Sequence, residues 1–534
     1  MDNKSVLLIS FYNSKALGVR YLEKSLKQAG IPVNVVILKN FNSRKPQELT
    51  ETELELLKDV IEKVKPGLVG LSVMTSFYLE SVYKVNYILK ENFNIPVVWG
   101  GAYPTLFPKK CLEHADYVIM GEGERSIVKL TNIVFNNAAH YTECNEDNTD
   151  FFTGLENIEN LAYRMKGNNE NLETANSDAN SSENNKIIIN ELGHLCQELD
   201  EYGYPEIDNM NKYLINNDKL TLGDPLTKSL SYELLASRGC PFSCSYCSSI
   251  NFHRLYKGKG NYIRFRSVKN VIDELIEAKK RIKNLRFIHF WDEIFPEDEN
   301  WIDEFTSLYK NEVNLPFGIW VHPLKINRSL IEKLVYAGLY KAVMGIQSGS
   351  IRIRKEIFHR LETQEDIINA SKILSECKVP RVVYDFILRH PFETQEDIMQ
   401  SFELCTKLHK PFELQLHGLN FLPGTDIVDM AIKSGIANAD ELEKIMYAPM
   451  KQQYTSYWGI NDKDIMINFW YSMIYMTQFN FLNNLTSLIL RKVKGSDVEA
   501  KFPLKLLTNS KKILVLIAKI KDYYLKLRLV TRNS

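Results

Sequence analysis

The sequence has no apolar run of roughly 18 residues, which removes the usual signal of a membrane-spanning helix. It has no charge imbalance either. Lys+Arg and Asp+Glu are both 66, so no global field draws the chain to nucleic acid or acidic ligands. The opening MDNKSVLLISFYNS holds a short strand-like run and no leader-type apolar segment with a small-residue cleavage site. Cysteine is scarce: there are eight in 534 residues, and five of them are scattered. Without an export signal, that usage argues against a disulfide framework and for a reducing, cytoplasmic location. What is present is the composition of a globular protein, 45% hydrophobic and 25% charged. The length exceeds what one core organises, so two or three domains are expected.

Short apolar runs alternate with helical patterns from the start. Ser5–Phe11, Ile31–Leu38, Gly67–Met74, Ile95–Gly101 and Ala115–Glu124 read as strands. Gly30 closes the helix after the first, and Thr50 with Glu53 forms a capping box for the helix after the second. Five strand–helix units predict an α/β domain with a doubly wound parallel sheet over residues 1–140. Such sheets bind ligands at the carboxyl ends of their strands. Small and polar residues gather at those ends: Ser72, Thr75, Gly100, Gly101, Thr105, Gly121, Glu122 and Gly123. Glycines there either turn the chain or let backbone approach a flat or anionic ligand.

Residues 141–231 read as a linker. Within them LAYRMKG and NKIIIN form a hairpin around a polar, low-complexity, disordered insertion. From Tyr232 the strand–helix rhythm resumes for six units, to 435, which predicts a partial (β/α)6 barrel of the TIM type, with chemistry at the strand ends. Residues 436–534 read as a helical, aromatic C-terminal region that packs over the barrel mouth or stands as a plain structural helix pair.

The clustered cysteines follow the first barrel strand. In SRGCPFSCSYCSS, Cys240, Cys244 and Cys247 make a C-x-x-x-C-x-x-C pattern. Three thiolates this close hold metal, but tetrahedral zinc and ordinary iron–sulfur clusters take four protein ligands. Spacing leaves three readings open. His253 completes a zinc site, a distant cysteine closes a cluster, or one iron stays open to bind a small molecule.

The cysteine pattern, with Tyr246 before its last member, resembles the signature of radical S-adenosylmethionine enzymes. The resemblance implies a [4Fe–4S] cluster on Cys240, Cys244 and Cys247, whose fourth iron is chelated by the methionine end of S-adenosylmethionine. It implies reductive cleavage to a 5′-deoxyadenosyl radical, with a reductant such as flavodoxin or ferredoxin. FWDEIF resembles the acidic element that receives the methionine amino group, through Asp292 and Glu293; by itself it reads as a solvated acid pair at a helix start. MGIQSGS resembles the fourth-strand motif near ribose and methionine, with Gln347 and Ser348 as candidates. Arg360 stands where relatives often carry an arginine for the carboxylate; as a lone arginine it reads as surface. YDFILRHPFET resembles the segment beside the adenine, although relatives often have glycines where Arg389 and Phe392 stand. His322, after the third strand, either faces substrate or is a satisfied core histidine.

GLSVMT, WGGAYPT and MGEGE resemble the cobalamin-binding domain that precedes the barrel in one large subfamily. That makes the first domain Rossmann-like. It assigns Ser72, Thr75, Gly100, Gly101, Tyr103, Thr105, Gly121, Glu122 and Gly123 to cobalamin. No Asp-x-His-x-x-Gly offers a lower cobalt ligand, and relatives often have histidine where Tyr103 stands. The implied activity is methylation of an unactivated carbon of an organic substrate, one S-adenosylmethionine methylating the cobalamin and a second making the radical. A radical cyclase or rearrangement enzyme, and a non-catalytic zinc or iron–sulfur regulatory module, are the alternatives. No nucleic-acid partner is expected. The tail 501–534, with nine Lys/Arg and one Asp around ILVLIA, either lies peripherally on an anionic membrane or docks on the protein.

Overall fold

The computed structural model describes residues 4–40, 47–137, 149–166, 185–453 and 465–479. The polar insertion 167–184 and the basic tail 501–534 lie outside them. The chain divides into two compact units: Met1–Lys228 with Asn251–Tyr262 and Glu443–Tyr454, and Ser229–Ile250 with Ile263–Leu442 and Thr455–Ser534.

The first unit is built on nine strands. They are β1 (Val6–Phe11), β2 (Val33–Leu38), β3 (Leu68–Ser72), β4 (Val97–Gly100), β5 (Tyr117–Ile119), β6 (Leu161–Lys166), β7 (Asn185–Ile189), β8 (Lys212–Ile215) and β9 (Leu220–Leu222). Their order is β7-β6-β5-β4-β3-β1-β2-β8-β9. Pairings from β5 through β8 are parallel. The outer pairs β5–β6, β6–β7 and β8–β9 are antiparallel. The apolar strands are buried on both faces. Leu7 and Ile9 pack with Leu57, Val60 and Val82 on one side; Val6 and Leu8 pack with Leu26, Ile127 and Leu130 on the other. That two-sided burial is the physical content of "doubly wound". The predicted capping box is present: Thr50 Oγ1 accepts from Glu53 N–H at 3.1 Å, and Glu53 Oε2 takes the Thr50 N–H at 3.2 Å. The chain steps from β1 to β2 on one side and then to β3 on the other. The order therefore reverses at β1/β3, where such sheets bind ligands.

The expected linker is corrected here. The hairpin β6–β7 and the strands β8 and β9, all within 141–231, extend this sheet at its two edges. Asp224, near the end of that stretch, is clamped into the unit by two 2.7 Å hydrogen bonds from the Arg20 guanidinium.

The second unit opens with β10 (Ser231–Leu234). A small antiparallel ribbon follows, β11 (Ser237–Arg238) with β12 (Arg264–Phe265). Then come β13 (Phe287–Phe290), β14 (Phe317–Val321), β15 (Leu339–Gln347), β16 (Arg381–Leu388) and β17 (Glu413–Gly418). The main sheet has sequential order β10-β13-β14-β15-β16-β17 with every pairing parallel. Sequential parallel strands joined by right-handed crossovers put all helices on one face. Leu234, Ile288, Phe290, Ile319, Ala342, Met344, Val382 and Tyr384 are buried on that face. The opposite face is polar and includes Glu233, His289, Lys341 and Arg381, which the register sets side by side with Gly318. The six expected barrel strands are all found, and β10 and β17 are the free edges of an open sheet.

Candidate functional site

The cysteine loop leaves the carboxyl end of β10 and is held from several sides. Trp291 N–H bonds to Leu234 O at 2.9 Å, and Arg266 N–H to Ala236 O at 2.9 Å. Arg266 Nη1 donates to Leu235 O at 2.8 Å. Gly239, one residue before Cys240, has φ +99°, which a side chain would resist. Ser245 lies at the loop's centre, fully buried. Its hydroxyl donates to Ile357 O at 2.5 Å, its N–H to Phe358 O at 3.2 Å, and its carbonyl accepts from Ile427 N–H at 3.0 Å. Cys247 N–H bonds to Cys244 O at 3.1 Å and closes the C-x-x-C bend.

All three thiols are half-buried. Burial pushes the Cys240 thiol up to about 12, and the charges of Glu293, Cys244 and Cys247 push the same way. Burial also raises Cys247. Thiols that sense one another in a low-dielectric loop become thiolates only when a cation compensates them, so iron would bind with proton release. Among the described residues, no three His, Cys, Asp or Glu side chains converge on one ion. Three cysteines at this spacing suit a cluster in which each holds a different iron. His253 stacks on Tyr262 with centroids 4.8 Å apart.

Asp292 and Glu293, paired in the sequence reading, part ways. Asp292 is 1% exposed. Its Oδ1 accepts from Ala236 N–H at 3.0 Å and from the Ser237 hydroxyl, so it braces the backbone leading into the cysteine loop. Its Oδ2 is buried without a hydrogen bond, and burial lifts the carboxyl to about 7. Glu293 is solvent-exposed. Its carboxyl is raised by the surrounding protein, opposed by Arg238 and Arg264, and it acts electrostatically on Cys240 and Cys247. Both acids stand beside the cysteine loop, Glu293 on an exposed residue and Asp292 buried with one oxygen unpartnered.

Gln347 ends β15 with φ +68°, a strained position for a side-chain residue, where the β15–β16 register slips. Ser348 is fully buried. Its hydroxyl accepts from Ser350 N–H at 3.2 Å and its carbonyl from Arg354 Nη1 at 2.7 Å. A Cβ on Gly349 would lie 2.2 Å from Ser401 Cα, so the SGS stretch packs the strand end against helix Gln395–Lys407. Ser348, a ligand candidate by resemblance, is thus hydrogen-bonded within this turn.

Arg360 is 5% exposed, so the surface reading fails. Its Nε donates to Glu362 Oε1 at 2.5 Å, Nη2 to Gly345 O at 2.7 Å and Nη1 to Tyr246 Oη at 3.3 Å. Nη1 also lies 3.9 Å from Cys244 Sγ. Tyr246, the aromatic of the signature, packs edge-on against Phe358 with centroids 4.9 Å apart. His322 is a core histidine: its ring stacks on Phe242 at 3.7 Å, and burial drives it down to about 2, hence neutral. Glu362 and His417 belong to no motif quoted above, and Phe242 and Asp385 lie inside quoted motifs that gave them no role. Only their spatial neighbours show their place.

In the first unit the candidate residues line the strand ends flanking β1/β3. Gly101 has φ +119°, and a Cβ on it would lie 2.8 Å from Val73 O. Thr105 is buried and ties two strand ends together: its hydroxyl donates to Gly101 O and accepts from Gly121 N–H, both at 2.7 Å. Gly121 has φ +66°, and a Cβ there would lie 1.5 Å from the Tyr256 hydroxyl oxygen. Gly123 precedes helix Glu124–Asn136. Glu122 Oε2 accepts from Cys196 N–H at 3.2 Å and from the Tyr202 hydroxyl at 3.4 Å. Tyr103 is buried against Phe107, with centroids 5.1 Å apart. Ser72 and Thr75 are half-buried, and between them Met74 is 56% exposed, a feature the sequence reading passed over. Gly101 and Gly121 have no room for a Cβ because the Val73 carbonyl and the Tyr256 hydroxyl already stand there, and Met74 is exposed just after β3.

Residues 234–405 match the Radical SAM superfamily, and residues 5–131 match the B12 binding domain. An uncharacterised methyltransferase of Pyrococcus horikoshii is 25% identical over 387 residues, 71% of this chain and 72% of that protein. The anaerobic magnesium-protoporphyrin IX monomethyl ester cyclase of Rubrivivax gelatinosus is 23% identical over 398 residues, 72% of this chain and 61% of the cyclase. In fold the chain is similar to OxsB, a cobalamin-dependent S-adenosylmethionine radical enzyme solved with aqua-cobalamin and S-adenosylmethionine. The TM-score is 0.59 at 14% identity, over 98% of this chain and 81% of that one. It is also similar to the methyltransferase TsrM of Kitasatospora setae, solved with cobalamin and a [4Fe-4S] cluster. There the TM-score is 0.56 at 16% identity, over 80% of this chain and 75% of that one.

Proposed function

Starting from a chain that is a radical SAM enzyme with a B12-binding domain ahead of the radical domain, we propose that it transfers a methyl group to an unactivated carbon of an organic substrate. The single observation that carries the reading is the cysteine loop. It holds three thiols in the loop after β10, with the acid Glu293 acting electrostatically on two of them. When bound, the [4Fe–4S] cluster, S-adenosylmethionine and cobalamin supply the electron, the radical and the methyl group.

The chain's residues set up that chemistry. Cys240, Cys244 and Cys247 would hold the cluster. Glu293 receives the methionine ammonium. Asp292 fixes Ala236 and Ser237, and with them the start of the loop. Gln347 stands at the end of β15. In the first unit, Gly100, Gly101, Gly121 and Gly123 let cobalamin lie against backbone, with Ser72, Met74, Thr75 and Glu122 bordering them. Thr105 holds the geometry of that edge, and Tyr103 supports it from the core. On the sheet's polar face, Asp385 Oδ1 is buried without a hydrogen bond. It is a place for a substrate donor such as an amine or hydroxyl.

The test uses the full chain, purified without oxygen and reconstituted, with reductant, S-adenosylmethionine and cobalamin. S-adenosylhomocysteine that depends on added cobalamin supports methyl transfer. Deoxyadenosine without it favours the second reading, a radical ring closure, for which the cyclase relative is the specific observation.

A further inference from the structure

A closed circuit of contacts leaves the cysteine loop and returns to it. Phe242 stacks on His322 at 3.7 Å, with 20° between the planes. His322 Nε2 lies 3.5 Å from Glu362 Oε2. Glu362 Oε1 accepts from Arg360 Nε at 2.5 Å, and Arg360 Nη1 reaches Cys244 Sγ at 3.9 Å. Arg360, Glu362 and His322 are all buried. A second buried cation lies nearby: Arg354 donates from Nε to the Glu362 backbone carbonyl oxygen at 3.3 Å. The neutral histidine adds no charge.

The guanidinium thus shows one edge to the cysteine sulfur and the other to a carboxylate. Little solvent screens either contact, so both charges act at low dielectric. Reduction moves one electron from the external reductant to the cluster, with no bond made or broken. It adds one negative charge beside Cys244. A fixed cation and an N–H directed at a ligand sulfur favour that added charge, and a fixed anion opposes it. The cation is the nearer of the two.

We infer that Arg360 is a positioning residue that raises the reduction potential of the cluster on Cys240, Cys244 and Cys247, and that Glu362 is the counter-charge that holds the rise in check. This rests on the proposed ligation by the three cysteines. It gives the guanidinium work beside meeting the methionine carboxylate: Glu362, Gly345 and Tyr246 take three of its five N–H donors.

The test is an anaerobic redox titration of the reconstituted full chain, read by electron paramagnetic resonance, with iron and sulfide content measured on each sample. Arg360→Met should lower the midpoint potential, and Glu362→Gln should raise it. The double variant should fall between them, nearer the parent than either. Arg360→Lys should restore part of the loss. Intact clusters whose midpoints do not move, or that move in one direction for both single changes, overturn the inference and leave the cysteine assignment standing. If Arg360→Met does not assemble a cluster, Glu362→Gln decides alone: a rise supports the inference, and a fall or no change overturns it. A parent chain that takes up no iron overturns the ligation itself, and the inference with it.

Discussion

The Tyr471 hydroxyl donates to Glu393 Oε2 at 2.9 Å and accepts from Arg389 N–H at 2.6 Å, joining helix Ile465–Met476 to the loop after β16. Both side chains are surrounded by protein, and burial lifts Glu393 to about 7. The Arg389 guanidinium also lies over the Tyr471 ring, 4.7 Å from its centroid. This loop resembles the adenine-side segment but carries Arg389 at φ +60° where relatives often have glycine. Removing the hydroxyl leaves a buried acid short of a donor. Tyr471→Phe is therefore expected to lose about 1–3 kcal/mol of stability, read as a lower urea midpoint. An unchanged midpoint would show that the bond is dispensable.

Asp385 and His417 give a pH prediction. Asp385 Oδ1 lies 4.0 Å from His417 Nε2 on the neighbouring strand, with Lys341 the nearby cation. Burial raises the Asp385 carboxyl from the ordinary 3.8 to about 7. Its folded form holds the proton more tightly than its unfolded form. The stability it contributes is present below about pH 4 and is lost as pH rises through 7. Asp385→Asn should thus match the parent near pH 4 and exceed it above pH 7, by up to about 4 kcal/mol. Melting curves at pH 5 and pH 8 check the sign. A variant that gains nothing at pH 8 contradicts the assignment.

The divided acid pair predicts two different failures. Glu293→Gln should weaken S-adenosylmethionine binding by roughly 10- to 100-fold while leaving iron content unchanged. Asp292→Asn should disturb the cysteine loop, lowering iron uptake, because its target is the Ala236–Ser237 backbone. Equilibrium dialysis with iron assay on the same samples separates them. The reverse pattern would exchange the roles.

Gly101→Ala is expected to destabilise the first unit by about 2 kcal/mol or more, since φ +119° and the Val73 carbonyl both oppose a Cβ. Cobalamin retained on gel filtration should fall with it. Retention at the parent level would remove Gly101 from the cobalamin edge.

Much of this architecture could be read in the residues. Buried parallel strands such as Val33–Leu38 are plain apolar runs, and Gly30, Thr50 and Glu53 mark helix ends through local chemistry. The strands at the sheet's rims hid inside a presumed linker. β8 and β9 are short, and the pairing of β8 with β2 brings together segments more than 170 residues apart. The three cysteines stood out by spacing. Arg360 did not read as buried, because the acid that compensates it, Glu362, matters only once both leave water. Asp292 and Glu293 are neighbours on one loop, and nothing in their identity tells which carboxylate turns inward.

The most direct test of the central claim compares the parent chain with a Cys240→Ala/Cys244→Ala/Cys247→Ala variant. Both are reconstituted with iron and sulfide and given reductant and S-adenosylmethionine. The account predicts about four irons and 5′-deoxyadenosine from the parent, and neither from the variant. Equal deoxyadenosine from both, or none from a parent that holds its iron, would contradict it.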